Sequence, residues 1–267
     1  MKKEEKRLFF ALDTTAPWPT ELPPGRVLDE GDRHLTLAFL GSVNLAKLQG
    51  LLKNFPVPSM KVGLAGKFDK CLFLPKRHPH VVAWHIQWID DPSPLIIFQK
   101  ALVDWLQKHE IYPQGKSDFM PHVSVCRSPF NENTWREAFV ELPVCFRSIH
   151  LYESLGYSHY RSCWQYSFKP PFEEVEHTAD IAFNVFGKDI AELHRHAQIA
   201  LSFKFPALLA FLSASQPQSL DEVVMDLNDI IGRADAEIGC PFKAVSFHGD
   251  LVEKEDNVLE WEMIVDV

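Results

Sequence analysis

Polar and apolar residues alternate with a period of two in several segments, a pattern that predicts β-strands. DRHLTLAFLG (32–41) alternates and stops at Gly41, and HVSVCR (122–127) alternates in the same way. RLFFALD (7–13) is a short, mostly apolar run, typical of a buried strand. Four further segments read as strands: KVGLAGKF, VVAWHIQWI, VCFRSIHLYES and SCWQYSFK.

Helical spacing of apolar residues predicts amphipathic helices over residues 43–55 and 94–110. Strands and helices then alternate in a roughly repeated order, with one histidine-bearing strand in each half. This repetition predicts an α+β unit of two antiparallel-sheet lobes with internal pseudo-symmetry.

The character of the chain changes at Lys169-Pro170-Pro171, and we place a domain boundary there, between residues 1–169 and 170–267. The second unit is predicted to hold a strand (173–186), a helix after Gly187, a short helix after a Pro/Ser/Gln-rich loop, and two final strands. The segments carrying these last four elements are KDIAELHRHAQIALSF, SLDEVVMDLNDII, FKAVSFHGDLVEK and LEWEMIVDV.

Composition indicates a globular protein of a reducing compartment. The 267 residues are 46% hydrophobic, enough to bury a core, and no stretch is long and apolar enough to span a membrane. The N-terminal MKKEEKRLFFALD does not resemble a signal peptide. The five cysteines show no CxxC spacing, which argues against a disulfide framework or a zinc knuckle. We therefore expect a cytoplasmic protein.

Charge is distributed unevenly between the two units. Residues 1–169 carry 21 Lys and Arg against 17 Asp and Glu, a net charge of +4, whereas residues 170–267 carry 6 against 19, a net charge of −13. The mildly basic first unit is the better place for a nucleic-acid end. The acidic second unit is unsuited to holding a phosphate backbone by itself, although a surface excess of acid can serve solubility alone.

Two tetrapeptides share one design, histidine–apolar–hydroxyl–apolar: His34 to Leu37 and His122 to Val125. Of the twelve histidines, only these two are followed by this pattern. On a strand, alternate side chains share a face, so each histidine lies on the same side as the hydroxyl of Thr36 or Ser124. Two imidazoles can supply a general base and a general acid near neutral pH, and hydroxyls can donate to phosphate oxygens. The pairing predicts metal-independent phosphodiester cleavage.

Other histidines give a weaker signal. His78, His80 and His85 cluster around a predicted strand, but no carboxylate or cysteine stands at ligand spacing, so we expect no metal there. Trp18, Phe130 and Tyr157 could stack on a terminal base, with packing in the core or at the rim as the alternative for each.

RLFFALD, HLTLAFLG, PHVSVCR and LYES together resemble the 2H phosphoesterase superfamily, in particular its LigT-like branch of RNA 2′,3′-cyclic phosphodiesterases, also called 2′-5′ RNA ligases. The resemblance covers residues 6–169 and implies a bilobal fold that opens cyclic phosphates at RNA ends to 2′-phosphates without a cofactor. It implies that His34 and His122 are catalytic and that Thr36, Ser124 and Arg127 bind phosphate. The stretch between RLFFALD and HLTL is shorter and richer in proline than in such relatives.

VEHTADIAFNVFGKDIAELHRHAQIALSF and the ending FKAVSFHGDLVEKEDNVLEWEMIVDV resemble archease, a small α+β protein that activates the GTP-dependent RNA ligase. The resemblance implies a partner ligase and a calcium or magnesium site formed by Asp180, Asp266 and the terminal carboxylate of Val267, with His177 nearby; hard oxygen ligands suit these ions. The middle of this unit is shorter than in archease proteins.

Two rival functions remain open. The enzyme could act on 2′,5′-linked or cyclic-phosphorylated nucleotides. Alternatively, the protein could be an adaptor that holds RNA ends for a ligase without cleaving them, although an adaptor has no need of two titrating histidines.

Overall fold

The predicted strands of the first unit (residues 1–169) form an antiparallel sheet in the computed structural model, which describes residues 5–114, 119–176, 181–246, 251–254 and 257–267. Nine strands belong to this sheet in the described part of the chain. They are β1 (Glu5–Asp13), β2 (Arg26–Val27), β3 (His34–Asn44), β4 (Leu64–Leu74), β5 (Val81–Trp88), β6 (His122–Arg127), β7 (Leu142–Phe146), β8 (Ser148–Gly156) and β9 (His159–Ser167).

Three α-helices accompany the sheet in the described part of this unit: α1 (Leu45–Leu51), α2 (Ser93–Lys108) and α3 (Glu132–Glu137). The helix predicted over 43–55 is shorter, because Asn44 caps its start by accepting from the Lys47 amide at 2.8 Å and a 3₁₀ turn follows Leu51. Helix α2 agrees closely with its prediction. Its buried residues recur three or four positions apart and face the sheet: Leu95, Phe98, Leu102 and Leu106.

The strand order is β7-β4-β5-β6-β3-β1-β8-β9, with β2 on β6. Two half-sheets of four long strands each meet where β3 lies beside β6, and Leu35 opposite Val123 is the pair that joins them. The α+β class is confirmed. The two lobes predicted from the sequence are the halves of one continuous sheet, and the histidine-bearing strands lie at the seam between them.

The segment VCFRSIHLYES was predicted as one strand and is two. The strand is interrupted at Arg147. As a result β7 pairs with β4 in one half-sheet, and β8 pairs with β1 in the other. The Asp13 carboxylate stabilises the backbone at this interruption, because it accepts from the backbone amides of Arg147 and Ser148 at 2.7 Å each.

The second unit (residues 170–267) is a smaller α+β assembly with its own cluster of buried apolar side chains. Its elements are β10 (Phe172–Val175), β11 (Ile181–Gly187), α4 (Ile190–Lys204), α5 (Leu220–Ile238), β12 (Ala244–Val245), β13 (Leu251–Lys254) and β14 (Val258–Asp266). The sheet order is β10-β11-β14-β12, and β13 also pairs with β14.

Three sequence predictions for this unit differ from the structure. The strand predicted over 173–186 is the antiparallel pair β10 and β11. The short helix is the 19-residue α5, which begins at a Ser219 cap and continues to Ile238. The segment FKAVSFHGDLVEK, predicted as one strand, contains both β12 and β13.

The two units are joined by buried contacts. Ala65 and Cys145 of the first unit pack with Ile199 and Leu209 of the second. Beside them lies Asp90, which is 4% exposed and accepts from the Ala65 amide at 2.7 Å.

Asp90 also forms an ion pair across this interface. Its carboxylate lies 3.1 Å from Arg195 Nε and 2.9 Å from His196 Nε2. The other ring nitrogen of His196, Nδ1, donates to the Phe186 carbonyl at 2.5 Å. Because both ring nitrogens face acceptors, the surroundings of His196 favour its imidazolium form. Burial acts to lower its pKa, but the charge and hydrogen bond of Asp90 outweigh burial and raise it.

None of the helices within the described ranges combines the length and the apolar character that crossing a membrane requires.

Candidate active site

The four predicted motif residues lie on one face of the sheet. Leu35 and Val123 are opposite each other on β3 and β6, and both are buried in the core. Opposite residues of antiparallel strands share a face, and their sequence neighbours point the other way. The side chains of His34, Thr36, His122 and Ser124 therefore lie together on the side of the seam away from the core.

The two histidines are anchored in the same way. His34 Nδ1 donates to the Asp32 carbonyl at 2.8 Å, and His122 Nδ1 donates to the Met120 carbonyl at 2.8 Å. In each case the acceptor belongs to the residue two positions earlier. Because a carbonyl can only accept, Nδ1 carries a proton in both rings, and Nε2 is the atom that can exchange a proton with a substrate.

Aromatic rings surround His34. Its ring centroid lies 4.7 Å from that of Phe9 and 5.7 Å from that of Tyr152, and Tyr160 presents its edge at 4.9 Å. Burial lowers the pKa of His34 to about 4, against the bond to the Asp32 carbonyl; the charge of Arg127 adds to the lowering.

Burial also lowers the pKa of His122, against the opposing effect of its bond to the Met120 carbonyl. Positive charge on a neighbouring ring lowers these pKa values further. A proton on His85 lowers the pKa of His122, and a proton on His122 lowers the pKa of His34. Both rings therefore favour the neutral form when the site holds no anion. A phosphate anion placed between them would favour protonation of one ring.

A cleft of about 280 Å³ opens beside His34 and Thr36. Three arginines line it: Arg7, Arg26 and Arg127. Arg26 and Arg127 lie opposite each other on β2 and β6. Arg127 Nε is buried and, among the described residues, meets no hydrogen-bond partner. A buried donor without a partner beside two other cations is suited to an anionic ligand.

The turn between β8 and β9 forms another wall of the cleft. Tyr157 stands at its tip with a backbone φ of 52° and 86% of its surface exposed. Phe39 and Tyr160 also line the cleft. These rings offer flat surfaces on which a base could stack, as predicted for Tyr157. Trp18 packs against Phe68 and Trp84, and Phe130 packs against Phe73; neither lines this cleft.

The structure thus brings together His34, His122, Thr36 and Ser124, and it places Arg127 in the cleft beside His34. Sequence reasoning missed Arg7 and Arg26. Arg7 is the first residue of the predicted strand RLFFALD and carries no distinguishing pattern, and Arg26 belongs to a two-residue strand that no periodicity could indicate. It also missed the hydrogen bond of 2.5 Å between His85 Nδ1 and Asp69 Oδ1, because 16 residues separate the two.

The predicted cation site can be followed only in part. His177 and Asp180 lie outside the described residues. Asp266 ends β14, opposite Ala244, and the carbonyl oxygen of Val267 accepts from Lys243 Nζ at 2.6 Å. The calcium or magnesium site therefore stays a prediction of the sequence.

One group of potential metal ligands occurs within the described ranges, and it lies in the first unit: Asp29, Asp32 and His159. Asp32 already accepts from His159 Nδ1 at 3.0 Å and from the Tyr160 amide at 2.9 Å. These bonds tie the β8–β9 turn to the residue whose carbonyl anchors His34.

Several solved structures are similar to this chain. E. coli LigT complexed with 3′-AMP is 22% identical with a TM-score of 0.44, and the match covers 62% of this chain and 99% of LigT. A structure described as a phosphoesterase is also 22% identical, with a TM-score of 0.45 and the same coverage. TT0787 of Thermus thermophilus is 17% identical with a TM-score of 0.46, over 61% of this chain and 98% of its own. No family model and no curated protein matches the chain.

Proposed function

We propose that the first unit is a metal-independent phosphodiesterase that opens 2′,3′-cyclic phosphates at RNA ends to 2′-phosphates. The observation that carries this proposal is the pair of Nδ1-anchored imidazoles on neighbouring strands, which share one face with two hydroxyls. A binding protein needs cations for a phosphate, but it has no need of two rings held with Nε2 available for proton exchange.

The reaction needs one proton acceptor and one proton donor. The neutral histidine takes a proton from water at Nε2 while the water oxygen bonds to phosphorus. The bond from phosphorus to the 3′-oxygen breaks, and the second histidine, as imidazolium, protonates that leaving oxygen. Thr36 and Ser124 donate hydrogen bonds to the non-bridging oxygens as negative charge builds up on them.

The cleft beside His34 supports a nucleotide substrate. Arg7, Arg26 and Arg127 provide positive charge for phosphate, and the rings that line the cleft provide stacking surfaces. A nucleotide joined by a 2′,5′ linkage would meet the same groups, so this alternative is separated from the first by assay.

The test uses the full-length chain and a dinucleotide ending in a 2′,3′-cyclic phosphate, with EDTA present. We expect turnover to a 2′-phosphate with a bell-shaped pH–rate profile. His34→Ala and His122→Ala should each lower kcat at least about 100-fold, because each removes one half of the proton transfer.

His78→Ala is the matched control, since this exposed side chain lies outside the cleft. Circular dichroism and melting temperature must show that all three variants fold. Near-full activity in either active-site variant would exclude the two-histidine mechanism. Tight binding without turnover by the unaltered chain would favour the adaptor, and preference for a 2′,5′-linked dinucleotide would favour the alternative substrate.

For the second unit we propose docking onto a basic surface of a GTP-dependent RNA ligase. The support is the archease resemblance together with the net charge of −13 over residues 170–267. Mixing the full-length chain with the ligase from the same source should give a complex at low salt and more ligase turnovers. Calcium or magnesium should raise the melting temperature, and Asp266→Asn should reduce that rise. Absence of both a complex and a stimulation would reject the ligase partner, and melting that ignores both ions would reject the cation site.

A further inference from the structure

A third histidine lies next to the proposed catalytic pair. His85 on β5 is in register with His122 on β6. Its sequence neighbours, Trp84 and Ile86, are each 1% exposed and belong to the core. His85 therefore faces the same side of the sheet as His122, and directly opposite residues of antiparallel strands have Cβ atoms about 5 Å apart.

An irregularity in the neighbouring strand supplies an anchor for His85. The pairing of β4 with β5 shifts register between Phe68 and Lys70, which leaves Asp69 as an extra residue of β4 without a partner in the ladder. The Asp69 carboxylate accepts from His85 Nδ1 at 2.5 Å. Since a carboxylate only accepts, Nδ1 carries a proton, and the charge of the ring is decided at Nε2.

The charged and titratable groups around this position can be named for the described ranges. Lys70 lies opposite His85 on β4, and its Nζ is 3.4 Å from Asp69 Oδ2. On the other side of His122, across the seam, stands His34 with Arg127 near it. His85 is thus the titratable group placed directly beside His122 within its own half-sheet.

We propose that His85, anchored by Asp69, is a positioning residue that controls the charge of His122. For catalysis the proposal rests on the phosphodiesterase function given above, but the control of charge does not depend on it. A proton on His85 Nε2 places a positive charge beside His122 and disfavours the imidazolium form of His122. This agrees with the pKa of His122, which is lowered first by burial and also by the charge of His85.

The register of the strands makes the effect specific to one of the two proposed catalytic rings. His85 has a ladder partner in His122, whereas β3, which carries His34, is separated from β5 by β6. A change at His85 should therefore act more strongly on His122 than on His34. The two rings can then differ in charge although their backbone anchors are alike.

The experiment follows the imidazole resonances of His122 and His34 by NMR across pH in the full-length chain. In His85→Gln no proton can bind at this position, and the pKa of His122 should rise by about half to one unit, with a smaller change at His34. In His85→Lys a positive charge stands at this position, and the pKa of His122 should return towards its original value. His78→Gln, an exposed histidine of the loop before β5, is the matched control and should change neither ring.

An unchanged titration of His122 in His85→Gln would overturn the proposal. An equal shift in His85→Gln and His85→Lys would also overturn it, because packing rather than charge would then be responsible. If turnover is found, the limb of the kcat/KM profile that reports the titration of His122 should move to higher pH in His85→Gln and not in His85→Lys. If the protein has no phosphodiesterase activity but the NMR shift occurs, the inference about His85 holds and the proposed function fails.

Discussion

His34 and His122 share an anchor but have different surroundings. A carbonyl two residues earlier holds each Nδ1, and this device follows from strand geometry. His34 is enclosed by Phe9, Tyr152 and Tyr160, and its pKa falls to about 4, whereas His122 has His85 as a neighbour. The sequence could identify both residues, because each carries its hydroxyl partner two positions away. It could not predict their environments, which come from strands distant in the chain.

Arg127 lines the cleft beside His34, where a substrate phosphate is proposed to bind. Arg127→Ala removes a half-buried side chain with a buried, unpartnered Nε from the cleft wall, and kcat/KM for the cyclic phosphate should fall about 10- to 100-fold, the range for a hydrogen bond to a charged group. Arg127→Lys should restore only part of the loss, because an ammonium lacks the planar fork of donors. Steady-state kinetics of both variants measure this.

Arg136→Ala is the control for that experiment, since Arg136 is exposed on α3 and pairs with Glu132. A loss of the same size in the control would point to general electrostatic attraction instead of a direct contact. Unchanged kinetics in Arg127→Ala would remove Arg127 from the phosphate site.

At the scale of elements, local patterns predicted the strands that carry the site, and tertiary contacts decided what the patterns could not. The alternation in HLTL and HVSV is enough to place both histidines on strands β3 and β6. The interruption at Arg147 has no local turn signal, because no glycine or proline stands there, and the deciding group is Asp13, more than a hundred residues away. In the same way, only the pairing of β4 with β5 places Asp69 beside His85.

The second unit shows the same limit. The segment predicted as one strand over 173–186 contains no glycine or proline to mark a turn, and only the antiparallel pairing of Phe172 with Val185 distinguishes a hairpin from one long strand. The length of α5 was underestimated because its acidic and small residues after Ile231 lack strong periodicity, although Ala234 is buried on the same helix face.

At the scale of the whole molecule, the ion pair between Asp90 and His196 makes the stability of the chain depend on pH. The pKa of His196 is raised in the folded protein, so its contribution is complete below about pH 6.5, the ordinary value for histidine, and is lost as pH rises through the folded value. Burial acts to raise the pKa of Asp90, but His196 and the other partners lower it. The contribution of Asp90 is therefore present above about pH 3.9 and is lost as pH falls through its lowered value.

The expected result is a melting temperature that falls as pH rises above about 6.5, with a smaller fall in His196→Gln. His34 and His122 have lowered pKa values, so their contribution to stability is lost as pH falls below about 6.5. The quantity to measure is therefore the difference in melting temperature between the unaltered chain and His196→Gln at each pH. His196→Gln should also be less stable at pH 6, because it leaves the Asp90 carboxylate with a weaker partner. Equal pH dependence in both proteins would show that the pair carries no linked proton.

The order of the strands along the chain means that one half of the first unit is inserted into the other. Strands β4 to β7 complete one half-sheet from a continuous stretch, residues 64–146. The other half-sheet takes β1 and β3 from before that stretch and β8 and β9 from after it. No single cut separates the halves, and a chain ending at residue 147 would leave β1 without its partner β8. The seam that holds both histidines therefore forms only when segments before and after residues 64–146 pair with each other.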